Sequence, residues 1–490
     1  MTPARPAPVL QKLALNMGSV VIGRVVSVAV GFLSIALLTR HLGPEGYGEY
    51  RIVLTLTGIG AIFADLGLQL VILREIADPE RHDGRILGAG LTLRLVTTAL
   101  VMLIVALATR FLPYAEPVLL GVLVAAPYYV LYQCCQMLQG VFEKHLRQGR
   151  QMLAETAGGL TMLACVWLAM LLDAGVVAMV AGLLAGGVVQ FALVWLFAAR
   201  LEPMRPIIDL DRWRRLLRAG LPIAGSKIAL MAILRGDILI LSVLGTATAV
   251  GLYGVPSKMF EILSHLASMF GGMLMPMLLA ALASGDPRAT GRTVAGALDA
   301  MLVFGAGVVI CFAAFGAELL DLVAGDAFVE AHLALVLIGV AIAANAAAQI
   351  FRFLLLAMDR QRQIMRIDLI AFGIALVAYL ILVPLFSYPG AALATALVET
   401  ALAGLLAWRA FSSGRLARAR PRILRILLCA GLTFLAMRFA ADQGWHWFLA
   451  MSAGGLLYGT ALLAAGAVPL ALLRGRKGPP ATDESGTEPG

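Results

Sequence analysis

Apolar residues occur in long runs along this chain, and short polar segments separate the runs. A helix needs about 20 apolar residues to cross roughly 30 Å of hydrocarbon. Fourteen stretches reach that length, which predicts an all-α polytopic membrane protein with about fourteen transmembrane helices. The predicted spans are 14–38, 51–73, 87–109, 116–141, 151–172, 175–198, 219–243, 249–281, 294–316, 332–357, 365–386, 389–410, 424–441 and 446–472.

Composition agrees with this pattern and excludes a soluble protein. Of the 490 residues, 61% are hydrophobic and 14% are charged, against roughly 45–50% and 25% in ordinary globular domains. The connections between spans are too short for an inserted catalytic domain, so we do not expect an enzyme. All five cysteines fall within predicted spans and lack metal-site or redox spacing. There is also no GxxxxGK[ST] loop for ATP, and we predict no cofactor.

The basic residues predict the topology. If the N-terminus is cytoplasmic, 28 of the 38 Lys and Arg residues fall in cytoplasmic segments. Only four fall on the outer side, namely Arg40, Arg51, Arg110 and Arg438. This asymmetry follows the positive-inside rule with both termini cytoplasmic, and the first span is too long to be a cleaved signal peptide. The net charge of +9 is therefore a topology signal and does not indicate nucleic-acid binding. The Arg-rich segments 200–218 and 409–425 are expected to contact anionic lipid headgroups.

A short motif occurs twice, six predicted spans apart. Leu42-Gly43-x4-Gly48-x-Tyr50 returns as Leu244-Gly245-x5-Gly251-x-Tyr253. Because six is an even number, the two halves have the same orientation in the membrane, as in parallel-repeat transporters with a site between two lobes. The predicted organisation is a cytoplasmic segment 1–13, an N-lobe 14–199, a basic linker 200–218, a C-lobe 219–411, two further helices in 412–473 and a disordered cytoplasmic tail 474–490.

Charged residues inside the spans are the main candidates for a site. A charge at the centre of a membrane helix costs about 2.5–3.5 kcal/mol on insertion scales and usually faces a cavity or a partner. Arg24 and Lys227 precede the two motif copies by 18 and 17 residues. Two such cations suit an anionic group such as a phosphate or diphosphate. Arg235 and Asp237 are further candidates, with ion pairs that lock helices as the alternative.

Other polar stripes are weaker candidates for substrate binding. In the fourth span, Gln133 and Gln136 stand beside three tyrosines, and amides with aromatic rings suit sugar hydroxyls and sugar rings. Hydrogen bonding and packing between helices is the alternative for these residues. The remaining candidates for substrate binding are Lys258 in the eighth span, and Asn345 and Arg352 in the tenth.

Carboxylates inside the spans are candidates for ion coupling. A buried carboxylate can carry a proton or help to bind sodium. Asp65, Glu261 and Glu399 are the residues in question. A role in locking neighbouring helices together is the alternative for each.

Two segments resemble the half-signatures of bacterial polysaccharide transporters, in the branch of the multidrug/oligosaccharidyl-lipid/polysaccharide exporter superfamily that holds O-antigen and exopolysaccharide flippases. They are TRHLGPEGYGEYRIVLTLTGIGAIFADLGL and RGDILILSVLGTATAVGLYGVPSKMFEIL. The late segment YPGAALATALVET is also similar to the family pattern, although only Gly390 precedes its alanines. The positions that match are Arg40, Leu42, Gly43, Tyr47, Gly48 and Tyr50, then Arg235, Asp237, Leu244, Gly245, Gly251, Tyr253 and Lys258.

The resemblance implies two six-helix lobes that open alternately to the two sides of the bacterial inner membrane. It implies a lipid-linked oligosaccharide as substrate, carried on undecaprenyl diphosphate as a repeat unit of O-antigen or exopolysaccharide. The polyprenyl tail would stay in the lipid or in a lateral groove. A proton or sodium gradient, or the membrane potential, would drive transport, and a glycan polymerase and export machinery are candidate partners.

Three alternatives stay open at this point. A flippase for the peptidoglycan precursor would share the fold and a basic cavity. A drug/cation antiporter of the same superfamily would need an acidic cavity, which Arg24 and Lys227 disfavour. A membrane glycan polymerase would need a substantial outer loop, and the longest outer connection is about 15 residues, 317–331.

Overall fold

A computed structural model describes residues 7–77, 85–145, 147–202, 204, 206–412 and 422–467. Within these ranges, the side chains of 7–22, 24–25, 28, 70, 74, 76–77 and 222–235 lie outside the description. The described residues form thirteen α-helices and one short 3-10 helix, and they contain no strand.

The helices follow the order of the apolar runs. Their bounds are α1 Ala7–Asp65, α2 Leu68–Ala77, α3 Arg85–Thr109, α4 Glu116–Lys144, α5 Gln148–Leu171, α6 Val176–Ala199, α7 Leu210–Leu244, α8 Ala247–Ala283, α9 Pro287–Ala324, α10 His332–Ala357, α11 Gln361–Phe411, α12 Ile423–Asp442 and α13 Trp447–Ala464. The 3-10 helix, Asp326–Ala331, precedes α10.

The prediction of an all-α membrane protein is confirmed. Ten helices in the described part of the chain are long and apolar enough to cross a membrane. Two helices each run through more than one predicted span: α1 covers 14–38 and the first part of 51–73, and α11 covers 365–386 and 389–410. Helix α1 bends at Gly43 (φ 64°), where glycine tolerates the left-handed conformation, and α11 turns at Ser387 (φ 55°).

The second predicted span, 51–73, is not one continuous helix, and the prediction was wrong in this detail. Helix α1 ends at Asp65, and α2 begins at Leu68. Leu66 (φ 45°) and Gly67 (φ 70°) between them are both left-handed. Helix α7 lies against this break, because a methyl group at Gly220 would overlap the main-chain oxygen of Leu66.

The described residues group into two compact units. The first comprises the described residues within 7–264, 316–342 and 362–402, and the second comprises those within 265–315, 343–361 and 403–467. Leu138, Phe142 and Leu216 belong to a core cluster of the first unit, and Ile426 and Leu462 to one of the second. The division into lobes at 14–199 and 219–411 stays a prediction.

The two motif copies meet inside the first unit. A methyl group at Gly48 would overlap the main-chain oxygen of Ala247, and one at Gly251 would overlap that of Pro44. Each glycine therefore faces the residue four positions before its counterpart. Helices α1 and α8 cross here with main chain against main chain, and the sequence repeat corresponds to a symmetric contact.

Candidate functional site

A cavity of about 630 Å³ lies within the first unit. That volume falls within the roughly 300–1,000 Å³ that is typical of small-molecule sites. Five helices contribute to its wall: α1, α2, α3, α4 and α8. The lining residues are Arg51, Leu54, Thr55, Gly58, Ala61, Ile62, Asp65, Gln69, Arg94, Tyr128, Tyr129, Tyr132, Gln133, Gln136, Lys258 and Glu261.

One wall of this cavity is the broken end of α1. The last carbonyl groups of a helix have no partner within the helix, and in hydrocarbon they need one from elsewhere. Arg94 donates from Nη1 to the main-chain oxygen of Asp65 at 2.9 Å, and Gln133 donates from Nε2 to the main-chain oxygen of Ala61. The side chains of α3 and α4 therefore satisfy the end of α1.

The same side chains form a buried charged network. Arg94 is 1% exposed and Asp65 is 7% exposed, and their ion pair joins Nη1 to Oδ1 at 2.5 Å. Arg94 also donates from Nη2 to Gln133 Oε1 at 2.8 Å. Asp65, a candidate for ion coupling, and Gln133, a candidate for sugar binding, thus both make contacts between helices. Such contacts are the alternative that the sequence left open for each, and the coupling and sugar-binding roles stay predictions.

Arg51 lines the same cavity and takes no part in the Arg94–Asp65–Gln133 network. Its side chain is buried, with 6% of the residue exposed. Its Nε has no hydrogen-bond partner, and no ion pair in the described part of the chain involves it. A cation in low dielectric without an anionic partner is costly, so this position suits an anionic ligand.

The Arg51 side chain lies against a glycine next to the other motif copy, which leaves space for it. Arg51 follows Gly48-x-Tyr50 directly, and the equivalent position after Gly251-x-Tyr253 is Gly254. A methyl group on Gly254 would lie 3.2 Å from Arg51 Cγ and 3.4 Å from Nε. The repeat therefore places an arginine on one helix against a glycine on the other.

Aromatic rings and amides form a second wall, as the pattern in α4 suggested. The rings of Tyr128 and Tyr132 are stacked with their centroids 5.9 Å apart. Gln136 Nε2 donates to the Tyr132 hydroxyl at 2.7 Å, and the Tyr129 hydroxyl donates to the main-chain oxygen of Leu54 at 3.1 Å. Rings and amides together suit a ligand that has flat apolar faces and many hydroxyl groups.

Lys258 and Glu261 of α8 also line this cavity. Lys258 Nζ and Glu261 Oε2 lie 3.1 Å apart, and both side chains are partly exposed. Glu261, another candidate for ion coupling, is thus paired with a candidate cation of the substrate site.

Asp237 lies in a separate buried network of the first unit. The Tyr253 hydroxyl donates to Asp237 Oδ2 at 2.9 Å and lies 2.9 Å from Thr395 Oγ1. The Tyr379 hydroxyl also lies 2.9 Å from Thr395 Oγ1. Glu399, which is 9% exposed, follows Thr395 by one helical turn. A carboxylate and three hydroxyls thus connect α7, α8 and both halves of α11.

The other predicted site residues fall elsewhere. The side chains of Arg24, Lys227 and Arg235 lie outside the described residues. Asn345 and Arg352 are on α10, in the second unit. The site roles of all these residues stay predictions.

Two arginines of the cavity were missed as site residues. Arg51 had been placed among the outer topology residues, and Arg94 had not been singled out as a site residue. A signal for Arg51 was available, because an arginine stands directly after one motif copy and a glycine after the other. Nothing in the sequence marked the helix break that explains Arg94.

Solved structures with this fold are membrane transporters. The lipid II flippase MurJ, in its inward closed conformation, superimposes with a TM-score of 0.71 and 12% identity, covering 94% of this chain and 99% of that one. An inward-facing multidrug resistance MATE family transporter of the MOP superfamily gives a TM-score of 0.58 and 14% identity, covering 80% of this chain and 96% of that one. The chain is therefore a polytopic membrane protein with the fold of the MOP superfamily transporters.

Sequence comparison identifies the family. Residues 13–281, just over half of the chain, match the family model described as polysaccharide biosynthesis protein. A Shigella flexneri protein, named for a proposed role as an O-antigen transporter, is 42% identical over 55 residues, which is 11% of this chain and 13% of that protein. The chain belongs to the polysaccharide biosynthesis protein family, which confirms the resemblance seen in the motifs.

Proposed function

We propose that this protein is a flippase that moves a lipid-linked oligosaccharide across the bacterial inner membrane. The substrate class is an oligosaccharide on a polyprenyl diphosphate, such as a repeat unit of O-antigen or exopolysaccharide. The observation that carries the proposal is the cavity in which a buried arginine without an ionic partner stands near a wall of tyrosines and amides.

The charge distribution of the cavity supports an anionic substrate. Arg94 is paired with Asp65 and Lys258 with Glu261. These two pairs are neutral overall, which leaves Arg51 as the net charge of the described cavity residues. A diphosphate in hydrocarbon would meet a very large desolvation penalty. Charge-assisted hydrogen bonds from a guanidinium lower that penalty, and Arg24 and Lys227 are proposed to contribute further cations.

The polar and aromatic wall supports the glycan part of the substrate. Tyr128 and Tyr132 present rings that can pack against the apolar faces of sugars. Gln69, Thr55 and Gln136 add amide and hydroxyl groups to the cavity lining. A cationic drug would gain nothing from Arg51, so the antiporter alternative is disfavoured.

Transport is proposed to proceed by alternating access, with the crossing of α1 and α8 at Gly48 and Gly251 as a contact that must open. An ion gradient or the membrane potential is proposed as the driving force. Asp65, Glu261 and Glu399 stay the candidates for coupling, and the Tyr253–Asp237 network adds one more carboxylate. Both termini are proposed to be cytoplasmic, from the distribution of basic residues.

A flipping assay with purified protein in liposomes tests the proposal. A polyprenyl-diphosphate oligosaccharide with a fluorescent sugar would be placed in both leaflets, and a membrane-impermeant quencher would be added outside. We expect the protein to make the inner pool accessible. The double variant Arg24→Ala/Lys227→Ala should lose at least tenfold in rate while it elutes as a folded protein.

Parallel substrates separate the alternatives. Faster flipping of a peptidoglycan-precursor headgroup than of the oligosaccharide would favour the precursor flippase. Uptake of an organic cation, without any flipping of lipid-linked sugar, would contradict the proposal and favour an antiporter. Flipping that continues unchanged after ion gradients and membrane potential are collapsed would exclude secondary coupling.

A further inference from the structure

A second cavity of the first unit lies where α2, α3 and α7 meet, and the proposed transport function does not use it. Its volume is about 450 Å³. The residues that line it are Val71, Glu75, Ile86, Arg212, Arg215, Leu216 and Ala219. On α7, the lining positions are spaced three, four and seven residues from Arg212, so they share one face of that helix.

The first turns of α7 are fixed in place around this cavity. Asp209 caps α7 by accepting from the Arg212 main-chain nitrogen at 3.0 Å. Trp213 Nε1 donates to the main-chain oxygen of Ala89 on α3 at 3.0 Å. Leu216, 7% exposed, packs in the core cluster that also contains Val71. The cavity is therefore formed by packed helices.

Its charges are opposite in sign and separate from each other. Arg212 is already paired with Asp209, with 2.8 Å between Nε and Oδ2. This leaves Arg215, which is exposed, and Glu75, which is half-buried. Both line the cavity, and no ion pair joins them within the described residues. Val71, Ile86 and Leu216 form the apolar part of the cavity lining, here called the apolar floor.

A separated cation and anion that share a cavity with apolar side chains complement a zwitterionic amphiphile. A phosphate suits the guanidinium of Arg215, because such bonds are charge-assisted. A primary ammonium group suits Glu75, since it donates hydrogen bonds to a carboxylate. A trimethylated ammonium cannot donate, and a glycerol headgroup carries no positive charge.

We infer that this cavity binds the phosphoethanolamine headgroup of phosphatidylethanolamine. The phosphate lies at Arg215, the ammonium lies at Glu75, and the first acyl carbons lie against the apolar floor. The segment 200–218 is predicted to be cytoplasmic, so the lipid belongs to the inner leaflet. A bound lipid would contact α2 of the first repeat and α7 of the second.

Native mass spectrometry of the full chain in detergent tests the assignment, with dioleoyl phosphatidylethanolamine, phosphatidylcholine and phosphatidylglycerol as separate probes. We expect phosphatidylethanolamine to bind most tightly of the three lipids. Arg215→Gln and Glu75→Gln should each weaken it by about tenfold, since each removes one charged hydrogen bond. Glu75→Gln should also abolish the preference for ethanolamine over choline.

Arg214→Gln is the matched control, because Arg214 is exposed, adjacent and absent from the cavity lining. It should change binding by less than twofold. Equal weakening by Arg214→Gln, or tighter binding of phosphatidylglycerol, would overturn the inference in favour of diffuse attraction to a basic surface. One-for-one displacement by polyprenyl diphosphate would overturn it in favour of the transport substrate. Flipping in the liposome assay is a separate readout, so either proposal can fail alone.

Discussion

Gly48 of α1 and Gly251 of α8 face each other where the two helices cross with main chain against main chain. A methyl group on Gly48 would lie 2.9 Å from the main-chain nitrogen of Gly251, and one on Gly251 would lie 3.1 Å from that of Gly48. These glycines are equivalent positions of the repeated motif. The contact therefore has approximate two-fold symmetry, and it joins the two repeats at the side predicted to be periplasmic.

Gly48→Ala should open this crossing. Overpacking costs roughly 1–3 kcal/mol, which is about a 5- to 150-fold shift in a two-state equilibrium. We expect a cysteine placed at Thr55, in the cavity, to react faster with a membrane-impermeant maleimide added from the outer side. Gly31→Ala on the same helix is the control, because a methyl group there meets nothing within 4 Å. Unchanged labelling in a folded Gly48→Ala protein would contradict a gating role.

Arg51→Gln should lower the flipping rate without lowering the stability of the fold. The guanidinium has no ionic partner to lose, so its removal should leave the thermal midpoint unchanged or raise it, since a buried charge disappears. Flipping of the diphosphate-linked sugar should fall by about tenfold or more, and Arg51→Lys should restore part of it.

The control for Arg51 comes from the same predicted group of outer arginines. Arg40 is exposed and donates to the main-chain oxygens of Asp321 and Leu322 at 3.2 and 3.0 Å. Arg40→Gln should leave flipping nearly unchanged. If Arg51→Gln lowers the thermal midpoint sharply while flipping persists, Arg51 is a structural residue and the anion site lies elsewhere.

Arg94→Met should be strongly destabilising. It leaves the buried Asp65 carboxylate without its cation, which typically costs about 3–5 kcal/mol. Arg94→Met/Asp65→Leu should recover much of that loss, with a coupling energy of roughly 0.5–3 kcal/mol, measurable from unfolding in detergent. Arg110→Met, at an exposed arginine, provides the comparison.

Flipping by that double variant decides between the two roles of Asp65. Normal flipping with recovered stability would assign Asp65 to holding α1, α3 and α4 together. Recovered stability without ion-driven flipping would instead assign it to coupling. The structure leads us to expect the first result.

Tyr253→Phe should destabilise the protein by about 1–3 kcal/mol, because Asp237 and Thr395 both lose a buried hydrogen-bond partner. Tyr379→Phe removes a different hydroxyl group, one that contacts only Thr395 among these residues. Thr395 then keeps its bonds to Tyr253 and to the main-chain oxygen of Ala391. Its thermal midpoint should fall less. Equal effects of the two variants would show that Asp237 gains little from Tyr253.

Hydropathy predicted the helices well because each span must be apolar to cross the bilayer. It did not predict the break at Leu66 and Gly67, because the residues on either side are apolar whether or not the main chain is continuous. Once the helix is broken, its carbonyls need donors, which is why Arg94 points inward. The charge count alone could not distinguish that role from an interfacial one.

Counting the basic residues in each loop predicts topology but did not identify Arg51 as a residue of the cavity. Arg51 follows the predicted outer turn by a few residues, so topology alone assigned it to the outside. Comparison of the two motif copies carries more information, because it sets Arg51 against Gly254. The contact between the two motif copies was not predicted and is seen only in the structure.

The pairing of one arginine with one glycine also makes the two repeats non-interchangeable. If 44–51 replaced 247–254, two guanidinium groups would share one crossing and repel each other by several kcal/mol at an effective dielectric of about 20. The reverse exchange would leave two glycines and no cation. A protein built from two identical halves could therefore close this crossing or charge its cavity here, but it could not do both. The difference between the two halves at this position is what allows the site to exist.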